Sequence, residues 1–575
     1  MKSTSLILCL ALFPVVSPRP AAAQEATSQF YNVRSFGAKG DGTTLDSPAI
    51  NQAINAAAAA GGGTVELPAG TYLSGSIELK SNIHLLIDAG ATILAAPQSM
   101  NAYDQEEPFQ GRAYQDGGHT FFHNSLIWGE SLTNVSITGQ GMINGAGLSS
   151  QDGSEDRMDG FGGGRGGAAP SQGTNNTTSP GARLGNKAIA LKLCRNVLLR
   201  DITIIHGGHF AILVTGCDNM TVDNVTMDTN RDGIDIDCCR NTVVSNCRIN
   251  SPHDDGLCPK SSFALGRKVI TENLTIVNCQ VSGFLEGTLL DGTMKPYHSP
   301  GPVGQGRIKL GTEANGGFRN ITIANCTFRG CKGLALEEVD GGIMENITVN
   351  NITMMDVVGY PIYITTGKRD RGPNVTEPGR ARNIFISNII ATGIDTNSGF
   401  RGAPGGQPSG RGGRGAGAAQ AGGTQTAAAS QAPGRGGRRG ITHASGIEIE
   451  GMQDHPIENV RLSDIRLQFK GGGTTNDAAR VPAELGAGYP EPGETMPSYG
   501  LFARHVKGLE MENVTVGFDT QDMRPAIVAV DVDGFEIDHF KAQLSPNVAP
   551  ARLDGVKGLV VLDSPVLQGV EGAKP

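Results

Sequence analysis

Aromatic residues are scarce in this chain of 575 residues: one Trp, 9 Tyr and 19 Phe make up 5% of it. A surface built from many stacked rings therefore has few residues to form it. Beyond the apolar run from Leu6 to Val16, itself too short to span a bilayer, no stretch is long enough to do so. The formal charge is −9, and removal of Lys2 and Arg19 with a leader would bring it to −11. That balance disfavours nucleic acid or an anionic membrane as the general partner. None of the ten cysteines forms a Cys-x-x-Cys pair, which disfavours metal held by thiolates. Hairpin turns and blades of regular length, the marks of a sandwich or propeller, are also missing.

The start, MKSTSLILCLALFPVVSPRPAAAQEA, has a basic residue, a short apolar run and a small-residue site. It reads as an export signal over residues 1–23, cut before Gln24, which sends the protein to the periplasm or outside the cell. The remainder of the chain is dominated by one phrase, Asn-apolar-x-apolar-x-Asn/Asp. It occurs as NVSITG at 134, NVLLRD at 196, NMTVDN at 219, NTVVSN at 241 and NLTIVN at 273. It returns as NITIAN at 320, NITVNN at 346, NIFISN at 383 and NVRLSD at 459. Each is a short alternating strand entered or left through Asn, which tolerates tight bends. A single coil of this kind cannot bury its apolar face, but a stack can. The expected fold is therefore all-β, a right-handed parallel β-helix filling residues 24–575. Cys247, Cys279 and Cys326 occupy one place in the phrase, so they should line up as a buried, mostly reduced ladder, with room for one local disulfide elsewhere.

An amphipathic helix is expected from about Ser47 to Ala60, covering the open apolar end of the stack. Two stretches lack apolar periodicity, 145–181 and 396–440, and are expected to be disordered or mobile inserts. The second is rich in Gly and Arg but carries no interleaved aromatics beyond Phe400, so RNA is not its expected ligand.

NRDGIDIDCCRNTVVSNCRINSPHDDGLCPKSS, residues 230–262, gathers five aspartates among residues suited to burial. In GIDID, Ile234 and Ile236 alternate with Asp235 and Asp237, so one strand face should be buried and the other should present carboxylates. Asp254 and Asp255 come 22 and 23 residues after Asp232, about one coil. Stacked coils lie about 4.8 Å apart. Asp232, Asp254 and Asp255 should then share one wall, and crowding should raise the pKa of at least one of them, as a general acid needs.

This stretch resembles glycoside hydrolase family 28, the polygalacturonases, whose members carry Asn-Thr-Asp-Gly-Ile/Phe-Asp and, one coil later, Asp-Asp. The matching positions are Asn230, Asp232, Gly233, Ile234 and Asp235, then Asp254 and Asp255, within a resemblance running from about residue 30 to about 390. It implies a secreted hydrolase of pectic or related plant glycans, acting with inversion. Asp254 would protonate the glycosidic oxygen, and Asp232 with Asp255 would hold and activate the attacking water. The resemblance implies no metal and no cofactor.

Departures from the pattern bear on the sugar. The family's Gly-His-Gly becomes GQG at 304–306, so Gln305 stands where a histidine is expected. Where the family places Arg-Ile-Lys to grip a uronate carboxylate, this chain reads GLALEE, with Ala335 and Glu337 in the cation positions. Arg307 and Lys309 spell the same triplet one coil earlier, and are expected either to face outward and compensate or to pair with Glu313 or Glu337. Expected substrate contacts are Asn230, Asp235, His209, Gln305, Arg307, Lys309 and Glu337. Weaker candidates are Tyr114, His119 and His123 in one loop, Glu286, Asp291 and Lys295 in another, and Tyr363 with Lys368.

Two other classes of function compete. A polysaccharide lyase would hold Ca²⁺ at Asp235 and Asp237 and use Arg307 or Lys309 as base. A non-catalytic carbohydrate-binding β-helix would bind sugar without turnover. In each case the expected partner of this monomer is a polysaccharide or oligosaccharide, with no nucleic acid and no membrane insertion.

Overall fold

Each repeated phrase turns at its first Asn. In the computed structural model the nine residues from Asn134 to Asn459 that open the phrase all adopt left-handed backbone, with φ between 54° and 63°. Asn enters this region more readily than other residues bearing a Cβ. Its amide then bonds the rung before: Asn196 donates to Asn134 at 2.9 Å, Asn273 to Asn241 at 3.1 Å and Asn346 to Asn320 at 3.0 Å. A second ladder runs through Asn246, Asn278 and Asn325. These rows of side-chain amides hold the corners of successive coils in register.

The structure describes residues 30–108, 114–115, 117–149, 185–297, 305–369, 371–373, 375–396, 444–486 and 495–570. Among them the strands pair in parallel from coil to coil, forming a β-helix. Ile212, Ile234 and Leu257 illustrate the register, each beside its counterpart on the next coil. Their side chains, and those of nearly every phrase strand, point into one continuous apolar core. Full burial of each such side chain contributes about 1.5–3 kcal/mol. The nine described cysteines are all buried and free. Cys247, Cys279 and Cys326 stack as expected, each thiol donating to the carbonyl two residues back at 3.2–3.4 Å. The anticipated local disulfide is not present among the described residues.

The helix Ser47–Ala59 closes the first coil with Ile50, Ala53, Ile54 and Ala57, one buried stripe at helical spacing. No described helix is long and apolar enough to cross a membrane. The expected export signal, residues 1–23, lies outside the described residues, as does nearly all of the inserts at 145–181 and 396–440. Residues 145–149, within the first expected insert, are described. Gly145 bonds the carbonyl of Ile205 at 2.9 Å and Leu148 packs on the core, so the coil continues to Ser149.

One wall of the coil carries the acidic stretch. It comprises the parallel strands Phe210–Thr215, Asp232–Asp237 and Leu257–Lys260. Ile308 joins Leu257 by a bridge, and Lys309–Leu310 then pairs with Lys332–Glu338 and that strand with Val358–Thr366. Glycines let these rungs close up beside the aspartates. A Cβ on Gly233 would stand 2.3 Å from the Gly256 carbonyl oxygen, and one on Gly256 would stand 2.9 Å from that of Gly306.

Candidate active site

Asp232 opens the strand Asp232–Asp237, and Asp254 and Asp255 end the turn that leads into Leu257–Lys260. The amide of Gly233 bonds the carbonyl of Asp255 at 3.0 Å, which fixes the two turns side by side. One oxygen from each of Asp232, Asp254 and Asp255 then lies within 4.8 Å of the other two. The expected triad is brought together.

Its members differ in environment. Asp232 is 3% exposed. Burial pushes its pKa well above the usual range and the neighbouring Asp254 and Asp235 add to this, against Lys260 and Arg231. Burial acts on Asp255 in the same direction, but Lys309 and Arg307 outweigh it and hold this carboxyl below the usual range. Arg307 Nε is 2.8 Å from Asp255 Oδ1, and the Lys309 ammonium contacts Oδ2. Asp254 is the open member, with a side chain 28% exposed and Arg231 Nη2 at 3.3 Å from its Oδ2. The separation suits one divalent cation geometrically, yet Asp255 is already neutralised by two fixed cations, which argues against a metal here.

Several expectations are corrected. Asp235 and Asp237 do not lie on an open face, because the turn Gly117–His119 covers them. His119 Nε2 is 3.2 Å and Lys260 Nζ 3.0 Å from Asp235 Oδ2. Asp237 accepts from the amide and hydroxyl of Ser262, both at 2.7 Å. Neither aspartate is placed to contact substrate or to hold Ca²⁺ for a lyase. His209 is enclosed too, with Nδ1 at 3.0 Å from Arg231 Nη1 and its ring against Phe210. Glu337 is buried 3.4 Å from Arg307. Of the two alternatives for Arg307 and Lys309, pairing holds for Arg307, which reaches Glu337, and both cations also turn onto Asp255, a partner not expected from the sequence. The lyase reading thereby loses both its bases. Of the weaker candidates, Tyr363 is buried against Tyr360.

Other expected contacts stay near the triad. Asn230 donates to Glu286 Oε2 at 3.3 Å, and Glu286 Oε1 is 3.1 Å from His206 Nδ1. That bond raises the His206 pKa, with burial opposing. The loop carrying Glu286 thus reaches the mouth of the site, as its lack of repeat pattern suggested. Gln305 is half-buried beside the turn: its amide bonds the Pro252 carbonyl at 3.0 Å and its carbonyl accepts from Lys332 at 2.9 Å.

Arg231 and Lys332 were not expected from the sequence. Arg231 was visible as the residue standing where the resembled motif has Thr. Lys332 is 6% exposed at the head of KGLALEE. Burial first, and then Arg307, push its pKa down to about 7, against the pull of Asp255. Only the rung register, with Ala335 beside Lys309, shows that this lysine comes after Gln305 on the wall.

A model of the rhamnogalacturonase A/epimerase, pectate lyase-like family matches residues 30–258, which include all three aspartates. An exo-poly-alpha-D-galacturonosidase of Dickeya chrysanthemi is 26% identical over 257 residues, 40% of this chain and 42% of that protein. The mannuronan C5-epimerase AlgE2 of Azotobacter vinelandii is 38% identical over 125 residues, 20% of this chain and 12% of that protein. The chain thus spans less than half the length of either relative. The crystal structure of a hyperthermoactive exopolygalacturonase from Thermotoga maritima superimposes with a TM-score of 0.55 at 21% identity, over 85% of this chain and 91% of that one. Together these likenesses put the chain among parallel β-helix proteins, with the three aspartates lying within the part the family model matches.

Proposed function

We propose that this protein is an exported glycoside hydrolase that cleaves a uronate-containing pectic or related glycan. The observation that carries this reading is the meeting of three carboxylates in unlike environments: one enclosed, one gripped by two cations and one open to solvent. The Asp232–Asp254 pair holds one transferable proton. In the free protein burial favours it on Asp232. With a sugar seated over Asp254, Asp232 hands this proton to Asp254. Asp254 then gives it to the glycosidic oxygen as the bond to the anomeric carbon breaks. Asp232, now ionised, and Asp255 hold the attacking water, whose proton goes to Asp232. The pair ends with the single proton it began with.

A test is to incubate the protein with polygalacturonate, rhamnogalacturonan and alginate and to identify the products. New reducing ends without ultraviolet-absorbing unsaturation, undiminished by EDTA and absent from D254N, are expected. Unsaturated products, or C5 inversion without cleavage, would transfer the protein to the lyase or epimerase class. One observation favours that second reading. Lys332, with a pKa near neutrality and two cations beside it, has the properties of a base that removes a proton α to a carboxylate.

A further inference from the structure

The strand Gln280–Ser282 leads into a hairpin, residues 284–297, that the proposed chemistry does not use. Phe284 bridges Pro296 in antiparallel fashion, and the Leu285 amide bonds the Lys295 carbonyl at 2.9 Å. The hairpin folds back over the preceding turns. Asp228, wholly buried, accepts from the amides of Leu289 and Leu290 at 3.0 and 3.1 Å and from the Asn250 side chain at 2.9 Å. Asn250, also buried, accepts from the amide of Phe284 at 2.7 Å. Burying these polar groups costs free energy unless each is bonded, and here both serve the hairpin backbone. At its rim, Glu286 Oε1 lies 3.1 Å from His206 Nδ1 and Oε2 lies 3.3 Å from Asn230 Nδ2, while the Tyr297 hydroxyl bonds His253. Asn230 comes two residues before Asp232, and His253 adjoins Asp254. We propose that Glu286 is a positioning residue, held by His206 so that it fixes the Asn230 amide to receive a hydroxyl of the substrate sugar. This rests on the proposal of a glycan substrate and names the group that Asn230 recognises.

Placement supports it. The strands beside these turns stack in the order Thr203–Ile205, Thr226–Asp228, Arg248–Asn250 and Gln280–Ser282, so Glu286 reaches back three rungs to His206. On the way it passes the turns that carry Asp232 and Asp254. Asn230 is half-buried there, and its backbone carbonyl accepts from the amide of His253 at 3.1 Å. With Nδ2 donating to Glu286, the orientation of its side-chain amide is set, and the oxygen is an acceptor that suits a hydroxyl and repels a carboxylate. The charged groups that face His206 are Glu286 from the hairpin and Asp228 from the next coil. The bond from Glu286 raises the His206 pKa most and Asp228 adds to it, against burial. The imidazolium therefore holds Glu286 fully below the ordinary His value of about 6.5, and the hold is lost as pH rises through the raised folded value.

The experiment has two arms. In the first, calorimetry follows binding of polygalacturonate, rhamnogalacturonan and alginate oligosaccharides to D254N at about pH 6 and about pH 8. Kd should rise about two- to fivefold between them, the size of a part-exposed ion pair. H206N removes the charge and keeps a residue that accepts left-handed backbone, which His206 has at φ 56°. Added to D254N, it should bind weakly at both pH values and lose most of the rise. E286A should weaken binding about fivefold or more. E286Q, whose amide oxygen still accepts from Asn230, should restore Kd without the pH dependence. In the second arm, the same substitutions in the cleaving protein should show their loss in KM rather than kcat. An unaltered Kd in E286A, even at lower stability, would overturn the proposal, and so would a rise with pH that survives in H206N. A kcat collapse with KM unchanged would overturn it too and put Glu286 in the chemistry. The binding arm needs no turnover. Binding that weakens with pH but leads to no cleavage would sink only the hydrolase reading, and cleavage with binding indifferent to pH would sink only this one.

Discussion

Arg307 Nε and Asp255 Oδ1 lie 2.8 Å apart in a pair that is almost wholly enclosed, with Lys309 on the other oxygen. Such a pair is costly to break from one side, because the remaining charge stays buried. R307M should lose about 3 kcal/mol of stability, the lower end for a buried pair because Lys309 remains. Adding D255N should recover part of the loss. Urea unfolding of the two single variants and the double variant gives the coupling. The folded Asp255 pKa is lowered, so its contribution is present above the ordinary Asp value and fades as pH falls through the folded one. R307M should therefore flatten the acid limb of the stability profile.

Asp232 has the opposite sign. Its folded pKa is raised by burial and by Asp254, so its contribution is complete below the ordinary Asp value of about 3.9 and is lost as pH rises through the folded one. D232N, an uncharged residue of the same shape, should gain stability over the parent as pH increases from about 4 to about 8. Chemical denaturation at several pH values measures that gap. A gap that stays constant would mean that Asp232 is ionised in the folded protein.

The coil and its corners could be read from the chain because they depend on local chemistry repeated many times. Asn at a left-handed corner and Ile or Val at alternate positions carry their meaning in the residue types, and so does the Asp232 to Asp254 spacing. What Asp235, Arg307 and Lys332 do could not be read that way. Asp235 is buried by His119, 116 residues earlier in the sequence. Lys332 acquires its environment from Arg307 across a whole coil, which includes the strands Phe318–Ala324 and Thr327–Arg329. Register between rungs is clear where the phrase repeats without insertion, and it is lost where sequence without the phrase, such as 283–305, intervenes.

Asp254 is the member of the triad whose role can be tested without disturbing the fold. Its side chain is part-exposed and its ion pair with Arg231 is long, at 3.3 Å. D254N should keep the parent stability to within about 1 kcal/mol, as exposed pairs contribute little. Its kcat should drop by about 10²–10⁴, the range for loss of a general acid. Oligosaccharide binding should survive. A variant that still turns over within tenfold of the parent would take the acid role away from Asp254.

The corner ladder predicts a contrast between two substitutions at Asn320, which sits at φ 55° and bonds both Asn273 and Asn346. N320G keeps the backbone conformation and loses the amide bonds, so it should cost about 1 kcal/mol. N320A also places a Cβ without local hydrogen bonding in the left-handed region, which adds about 1–2 kcal/mol. Thermal or urea unfolding ranks the two. Equal costs would show that amide stacking alone, and not the corner geometry, selects Asn.

Stereochemistry tests the water-activating arrangement. Ordinary inverting hydrolases separate their carboxyl groups by about 6.5–9.5 Å to admit water, and retaining ones by about 5–5.5 Å. Here the nearest oxygens fall within 4.8 Å of one another, so spacing alone does not favour inversion. Inversion is still expected on chemical grounds. Asp255 is gripped by Arg307 and Lys309, which lowers its nucleophilicity, and Asp232 is almost wholly buried. Neither is free to form a bond to the anomeric carbon, while both can orient a water between them. Proton NMR of the first product, taken before mutarotation, should show the anomer opposite to the substrate linkage. Retention would require a glycosyl ester on Asp232, which a fluorinated substrate would trap and mass spectrometry would locate.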